Sequence, residues 1–205
     1  MKLFITGIGT DVGKTVASAI VTQALEADYW KPIQAGDLEH NDTYKVKSLV
    51  QNPKSQFHAN AYALNTPASP HLAASIDGII IDVKHVQEPK TKNHLVIEGA
   101  GGVLVPLNDT DCVIDLMQKD YKVIVVSRHY LGSINHTLLT IEALQNRNIK
   151  VAGIIFSGDE NNSTEEIILN KTGIECIGRI DNEPYFDANV IAYYADKFRE
   201  NLLKL

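Results

Sequence analysis

The stretch Phe4-Ile5-Thr6-Gly7-Ile8-Gly9-Thr10-Asp11-Val12-Gly13-Lys14-Thr15 decides the fold class. The run Lys2–Thr6 has the continuous apolar character of a strand buried on both faces, and the glycines after it mark a turn. Lys14–Ala27 then reads as a helix. A strand feeding a Gly-rich turn and a helix aims the N–H groups of the turn and of the first helical residues at one spot. That spot is an anion cradle suited to phosphates. Lys14 is expected to neutralise β- and γ-phosphate charge, and the Thr15 hydroxyl to ligate Mg²⁺. Gly9, Thr10, Asp11, Val12, Gly13 and Val16 complete the expected nucleotide cradle. Five residues separate Gly7 from Gly13, where the usual pattern has four. The bland alternative is a βα turn that binds nothing, and the agreement of strand, Gly-Lys-Thr and helix stands against it.

Working outward, further buried strands are expected at His94–Glu98, Lys122–Ser127 and Val151–Phe156, with a short one at Tyr29–Ile33. Helices are expected at Asp111–Lys119, Ile134–Asn146, Thr164–Lys171 and Ala188–Leu203. Strands alternating with helices predict an α/β fold: a mostly parallel twisted sheet with helices on both faces, a P-loop NTPase-like three-layer sandwich. No repeat or composition shift divides the chain, so residues 1–205 are expected to form one domain.

Two more segments place chemistry at strand ends, where open α/β sheets bind ligands. Trp30-Lys31-Pro32-Ile33-Gln34-Ala35-Gly36 brings a second lysine to the phosphate end of the sheet. His94-Leu95-Val96-Ile97-Glu98-Gly99-Ala100-Gly101-Gly102 delivers a carboxylate followed by glycines, as at the acidic metal-holding position of phosphoryl-transfer enzymes. Asp42 is a candidate second carboxylate for Mg²⁺, with helix capping as its alternative. Leu131-Gly132-Ser133-Ile134-Asn135-His136 opens a helix, and reads equally as ordinary capping or as a site for a substrate carboxylate.

Composition excludes several classes. The net charge of -6 offers no field for nucleic acid or an anionic membrane. No stretch approaches a membrane span, and the seven histidines form no zinc pattern. Cys112 and Cys176 make no CxxC pair, and are expected as buried thiols of a cytoplasmic protein.

Taken in order, these motifs resemble the dethiobiotin synthetase family. The resemblance rests on Thr-Gly-x-x-Thr-x-Val-Gly-Lys-Thr at 6–15, Lys-Pro at 31–32, Ser-Pro-His at 69–71, Glu-Gly-Ala-Gly-Gly at 98–102 with Pro106-Leu107, and Leu-Gly-x-Ile-Asn-His at 131–136. It runs to about Phe156 and fades beyond. The lengthened loop is itself a family feature. The resemblance implies ATP- and Mg²⁺-dependent ring closure of 7,8-diaminononanoate with CO₂, through a carbamate and a carbamic–phosphoric anhydride. It implies catalytic roles for Lys31, Lys14 and Thr10, and a metal held by Thr15, Asp42 and Glu98. Gly101 and Ser157 join the nucleotide contacts. Lys31, Ala35, Gly132, Ile134 and Asn135 would contact substrate, the last three across a homodimer interface. This chain departs from the family pattern at Gly9 (commonly Asp), Ala35 (usually Ser or Thr), Ser157 (near the Asn that reads adenine) and Asp181 (for a proline). The competing expectation is a partitioning-type ATPase switch that acts through partners.

Overall fold

The computed structural model describes residues 1–205. The chain runs β1 (Lys2–Gly7), α1 (Lys14–Leu25), β2 (Asp28–Trp30), β3 (Ile33–Ala35), α2 (Asp42–Leu49), β4 (Phe57–His58), β5 (Tyr62–Leu64) and α3 (Pro70–Ile76) in its first half. It continues through β6 (Leu95–Gly102), β7 (Lys122–Arg128), α4 (Ser133–Gln145), β8 (Val151–Ser157), α5 (Asn162–Thr172), β9 (Cys176–Ile180) and α6 (Ala188–Leu203). Seven strands form one sheet in the order β4-β2-β6-β1-β7-β8-β9, and every pairing is parallel. A small parallel pair, β3 with β5, lies apart from it.

The strand order sets where a ligand can bind. From β1 the chain crosses through α1 toward β2 on one side, whereas from β7 it crosses through α4 toward β8 on the other. Right-handed crossovers running in opposite directions put α1 and α4 on opposite faces. Accordingly α1 packs on β1 and β6 and against α6 and α2, while α4 packs on β7 and β8 and against α5. The crossover direction reverses at β1, so the crevice at its carboxyl end is the expected binding position. The Gly-rich loop sits there.

The core follows from the strand composition. Leu3, Phe4 and Ile5 of β1, Leu95–Ile97 of β6 and Val123–Val126 of β7 are all at most 1% exposed, as strands covered on both faces require. The last helix closes the layer with Ile191, Tyr194, Ala195, Phe198 and Leu202 buried along one stripe. Its start is fixed by the Asp187 carboxylate, which accepts from the Asn189 and Val190 amides at 2.9 Å each. Gly178 of β9 is needed beneath it. A Cβ there would lie 2.1 Å from the Phe198 ring.

Three sequence expectations change. The helix expected over Asp111–Lys119 is a single 3-10 turn at Val113–Leu116, because only Val113 and Ile114 of it are buried. The strand expected over Tyr29–Ile33 divides into β2 and β3 at Lys31-Pro32, where the proline lacks the N–H that a continuing ladder needs. Cys112 and Cys176 are free thiols, half-buried rather than enclosed. No helix is long and apolar enough to cross a membrane.

Candidate active site

The loop after β1 has a feature that its composition alone only suggests. The Ile8 N–H bonds to Val126 O at 3.1 Å, and the next backbone donor with a protein acceptor is Ala17, bonded to Gly13 O at 2.9 Å. Every N–H from Gly9 through Val16 is left without one. Native backbone donors are otherwise almost always paired, so a run of free amides at a helix start describes an anion site. Gly13 makes the geometry possible. It caps α1 at φ 95 and ψ 20, in the left-handed region where only glycine sits without strain. A Cβ there would also stand 3.1 Å from Ser157 Oγ. At Gly9, by contrast, an added Cβ meets nothing within 4 Å. The missing side chain at Gly9 is not demanded by packing.

Lys14 opens α1 and turns back over the loop, donating to Gly9 O at 2.7 Å. It is 7% exposed. Burial, the dominant influence, brings its pKa down to about 8, with Lys31 pushing the same way and Glu98, Asp42 and Asp11 opposing. A lysine so destabilised as a cation gains from an incoming polyanion.

The second cluster is built by strand register. Trp30 of β2 pairs with Ile97 of β6, so Lys31 and Glu98 emerge side by side one residue later. The Lys31 ammonium donates to Glu98 Oε1 at 3.1 Å and, on its other side, to Asp42 Oδ2. The Thr15 hydroxyl donates to the same Glu98 Oε1 at 2.9 Å. Burial alone would lower the Lys31 pKa, but Glu98 and then Asp42 outweigh it and the net shift is upward. For Asp42, burial is the largest influence and raises the pKa, but Lys31, with Lys45 and Thr15 behind it, together outweighs burial, so the carboxyl is held below its ordinary value. Asp42 is the first residue of α2 and not its cap. Asn41 caps that helix, accepting from the Tyr44 amide at 2.8 Å.

One cavity of about 820 Å³ joins both clusters, lined by Thr10, Asp11, Gly13, Lys14, Thr15 and Val16 of the loop and by Lys31, Ala35, Asp42, Glu98, Gly101 and Ser157. Val12 is buried beneath the loop. Gly132, Ile134 and Asn135 are not brought to this cavity. They line a second one, of about 870 Å³, at the start of α4. The Ile134 and Asn135 amides there have no protein acceptor. Gly132 caps that helix at φ 102 with no side-chain bond.

Several lining residues carry no motif. Arg128, at the end of β7, borders both cavities and donates to Asp11 O at 3.0 Å. Asn182, Glu183 and Phe186 come from the segment after β9. Tyr29, behind the cavity, donates to Glu98 Oε2 at 2.9 Å. Arg128 had a signal, a charged residue closing an apolar strand; Tyr29 had none.

The donors suit Mg²⁺. No group of three or more His, Cys, Asp or Glu side chains gathers anywhere in the chain, so no closed protein cage exists. Mg²⁺ does not require one, since one or two carboxylates with phosphate and water oxygens satisfy it. Thr15, Asp42 and Glu98 are such a set, all oxygen. A cation, the Lys31 ammonium, already lies between the two carboxylates.

The profile of a family described as an AAA domain matches residues 1–190. An ATP-dependent dethiobiotin synthetase of Christiangramia forsetii is 60% identical over 202 residues, covering 98% of each chain. The chain belongs to the ATP-dependent dethiobiotin synthetases. Another member of the family, from Cytophaga hutchinsonii, is 52% identical over 98% of both chains, and one from Agrobacterium fabrum is 42% identical over 90% of this chain and 87% of its own. Among solved structures, a ParA family ATPase from Chlorobium tepidum superposes with a TM-score of 0.59 at 12% identity, covering 94% of this chain and 96% of its own. The MinC:MinD cell division complex of Aquifex aeolicus gives 0.57 at 15%, covering 100% and 96%. Identity that low carries the fold alone. The partitioning ATPases therefore share the scaffold, and the synthetases share the sequence.

Proposed function

We propose that this chain closes the cyclic urea of dethiobiotin from 7,8-diaminononanoate, CO₂ and ATP, releasing ADP and phosphate. It works as one domain, in the cytoplasm and as a homodimer. The single observation that carries the site assignment is the pairing of a free-amide cradle with a buried Lys31–Glu98–Asp42 cluster in one cavity.

The amides from Gly9 to Val16 and the Lys14 ammonium take the phosphates, and Ser157 lies toward the base. Bound Mg²⁺, on Thr15, Asp42 and Glu98, would supply charge neutralisation between the phosphates. One substrate amine captures CO₂ as a carbamate. Its oxygen attacks the γ-phosphorus, and ADP leaves with the electrons of the broken bond. The second amine then attacks the carbamoyl carbon, and phosphate leaves. This chemistry needs positioning and charge, and no covalent enzyme intermediate. Lys31 steadies the carbamate and the γ-phosphoryl oxygens, and Thr10 contacts phosphate or amine. Ala35 adds only a methyl to the wall, so one hydroxyl of the usual family pattern is absent. The Gly132, Ile134 and Asn135 amides of the partner subunit hold the substrate carboxylate. The separation of that helix start from the main cavity supports an arrangement in trans.

Oxygen transfer tests the sequence of steps. Carbon dioxide labelled with oxygen-18, supplied to excess enzyme with diamine and ATP, is expected to place one label in each inorganic phosphate. Unlabelled phosphate formed alongside labelled cyclic urea would exclude carbamate attack on phosphorus.

A further inference from the structure

Glu98 is 1% exposed, and its two oxygens are used unequally. Oε1 accepts from Thr15 and Lys31, which both line the cavity. Oε2 accepts from one group only, the Tyr29 hydroxyl at 2.9 Å. Tyr29 is 0% exposed and sits on β2 two residues before Lys31. Both side chains reach the same carboxylate, Tyr29 at Oε2 and Lys31 at Oε1. Its ring packs on Phe57 of the neighbouring β4, centroids 6.3 Å apart. The hydroxyl makes no other hydrogen bond. Burial first, and the Glu98 charge second, hold the phenol well above its ordinary pKa, so it remains a donor.

We propose that Tyr29 is a positioning residue for Glu98, pinning Oε2 so that Oε1 alone is presented to Thr15 and to the divalent cation. The proposal rests on the assignment of Glu98 to the metal. The last torsion of a glutamate is soft and roughly two-fold. A carboxylate with Oε2 unheld could offer either oxygen, or both, to a cation. A neutral donor removes that freedom and adds no charge to compete with the metal. Such outer partners commonly tune metal affinity by one to two orders of magnitude. Neither Thr15 nor Lys31 can serve, since both already act on Oε1.

The test uses Mn²⁺ as a paramagnetic probe of the protein carrying a non-hydrolysable ATP analogue. Tyr29→Phe keeps the ring and its contact with Phe57. It is expected to weaken Mn²⁺ binding about tenfold and to raise the Mg²⁺ needed for half-maximal turnover by a similar factor, with the KM for the diamine unchanged. In a Glu98→Gln background, Tyr29→Phe is expected to add nothing further. Unchanged Mn²⁺ affinity in folded Tyr29→Phe, or an equal loss in both backgrounds, overturns the proposal. Glu98→Gln binding Mn²⁺ as tightly as the unsubstituted protein would instead remove Glu98 from the metal site. Should Tyr29→Phe not fold, 4-fluorophenylalanine at position 29 fills the place of the hydroxyl but donates nothing to Oε2. It is expected to weaken Mn²⁺ binding about tenfold, and an unaltered affinity would overturn the proposal.

Discussion

The Lys31 ammonium stands 3.1 Å from the Glu98 carboxylate, with Asp42 against its other side, so a lysine fills the space between the two carboxylates proposed for the metal. All three side chains are largely withdrawn from water, at 8%, 1% and 19% exposure. Two carboxylates this enclosed are stable together only around a cation. Lys31 supplies it in the free protein. Mg²⁺ held by the same two carboxylates would supply that positive charge in its place, which would leave the Lys31 ammonium free for the phosphoryl oxygens.

Lys31→Met is therefore expected to act twice. Ring closure should fall by at least about 100-fold, the scale for losing a preorganised charge. The nucleotide-free protein should also lose roughly 3–5 kcal/mol of stability, because the two carboxylates are left unpaired. Denaturant unfolding with and without Mg²⁺ checks this, and the metal should restore much of the loss. Equal destabilisation in both conditions would contradict the shared cation position.

The Lys14 pKa of about 8 has a signed consequence for nucleotide binding. Below about 8 the ammonium is charged before ATP arrives, and no proton is taken up on its account. Above it the free protein is mostly neutral at Lys14, while bound phosphate favours the charged form. ATP binding should then capture a proton, and affinity should fall by up to about tenfold per pH unit. Calorimetry in buffers of different ionisation enthalpy measures the uptake directly. For folding without nucleotide the sign reverses. The unfolded chain keeps this proton up to about 10.5, so the cost of burying the charged ammonium is full below about 8 and is relieved as pH rises from about 8 to 10.5.

Arg128→Ala removes the donor that holds Asp11 O. Asp11 has φ 55, a conformation that a non-glycine residue adopts at some cost, so the loop should relax. The KM for ATP is expected to rise roughly fivefold, about 1 kcal/mol, with kcat and the melting temperature little changed. A fall in kcat at unchanged KM would place Arg128 in the chemistry instead.

Gly178→Ala tests the packing of α6. The added methyl meets the Phe198 ring at 2.1 Å, and overpacking of this kind costs about 1–3 kcal/mol. Thermal unfolding should show a drop of several degrees while steady-state constants below the transition hold.

Much of this was legible beforehand because the informative residues lie in local patterns. Ala188–Leu203 is a helix with the expected bounds, since its apolar stripe is long and regular. That Lys14, Thr15, Lys31 and Glu98 come to one cavity could be read from strand ends and glycines. Features that depend on tertiary contact could not. Only Val46 of α2 is buried, so no periodicity announces that helix. The strands β3, β4 and β5 have two or three residues each, too few to show alternation. Tyr29 reads as one more apolar strand position. Its role depends on pairing with a strand whose first residue is Leu95, and nothing in its own neighbourhood encodes that.

The most direct measurement combines the purified protein with ATP, Mg²⁺, carbon-13 bicarbonate and 7,8-diaminononanoate, and follows phosphate release together with product mass. The expected result is dethiobiotin heavier by one mass unit, one phosphate per product, no product when any component is omitted, and none from Lys14→Ala or Lys31→Ala. ATP hydrolysis indifferent to the diamine, with no cyclic urea formed, would contradict the ligase assignment and leave a nucleotide switch on the same scaffold.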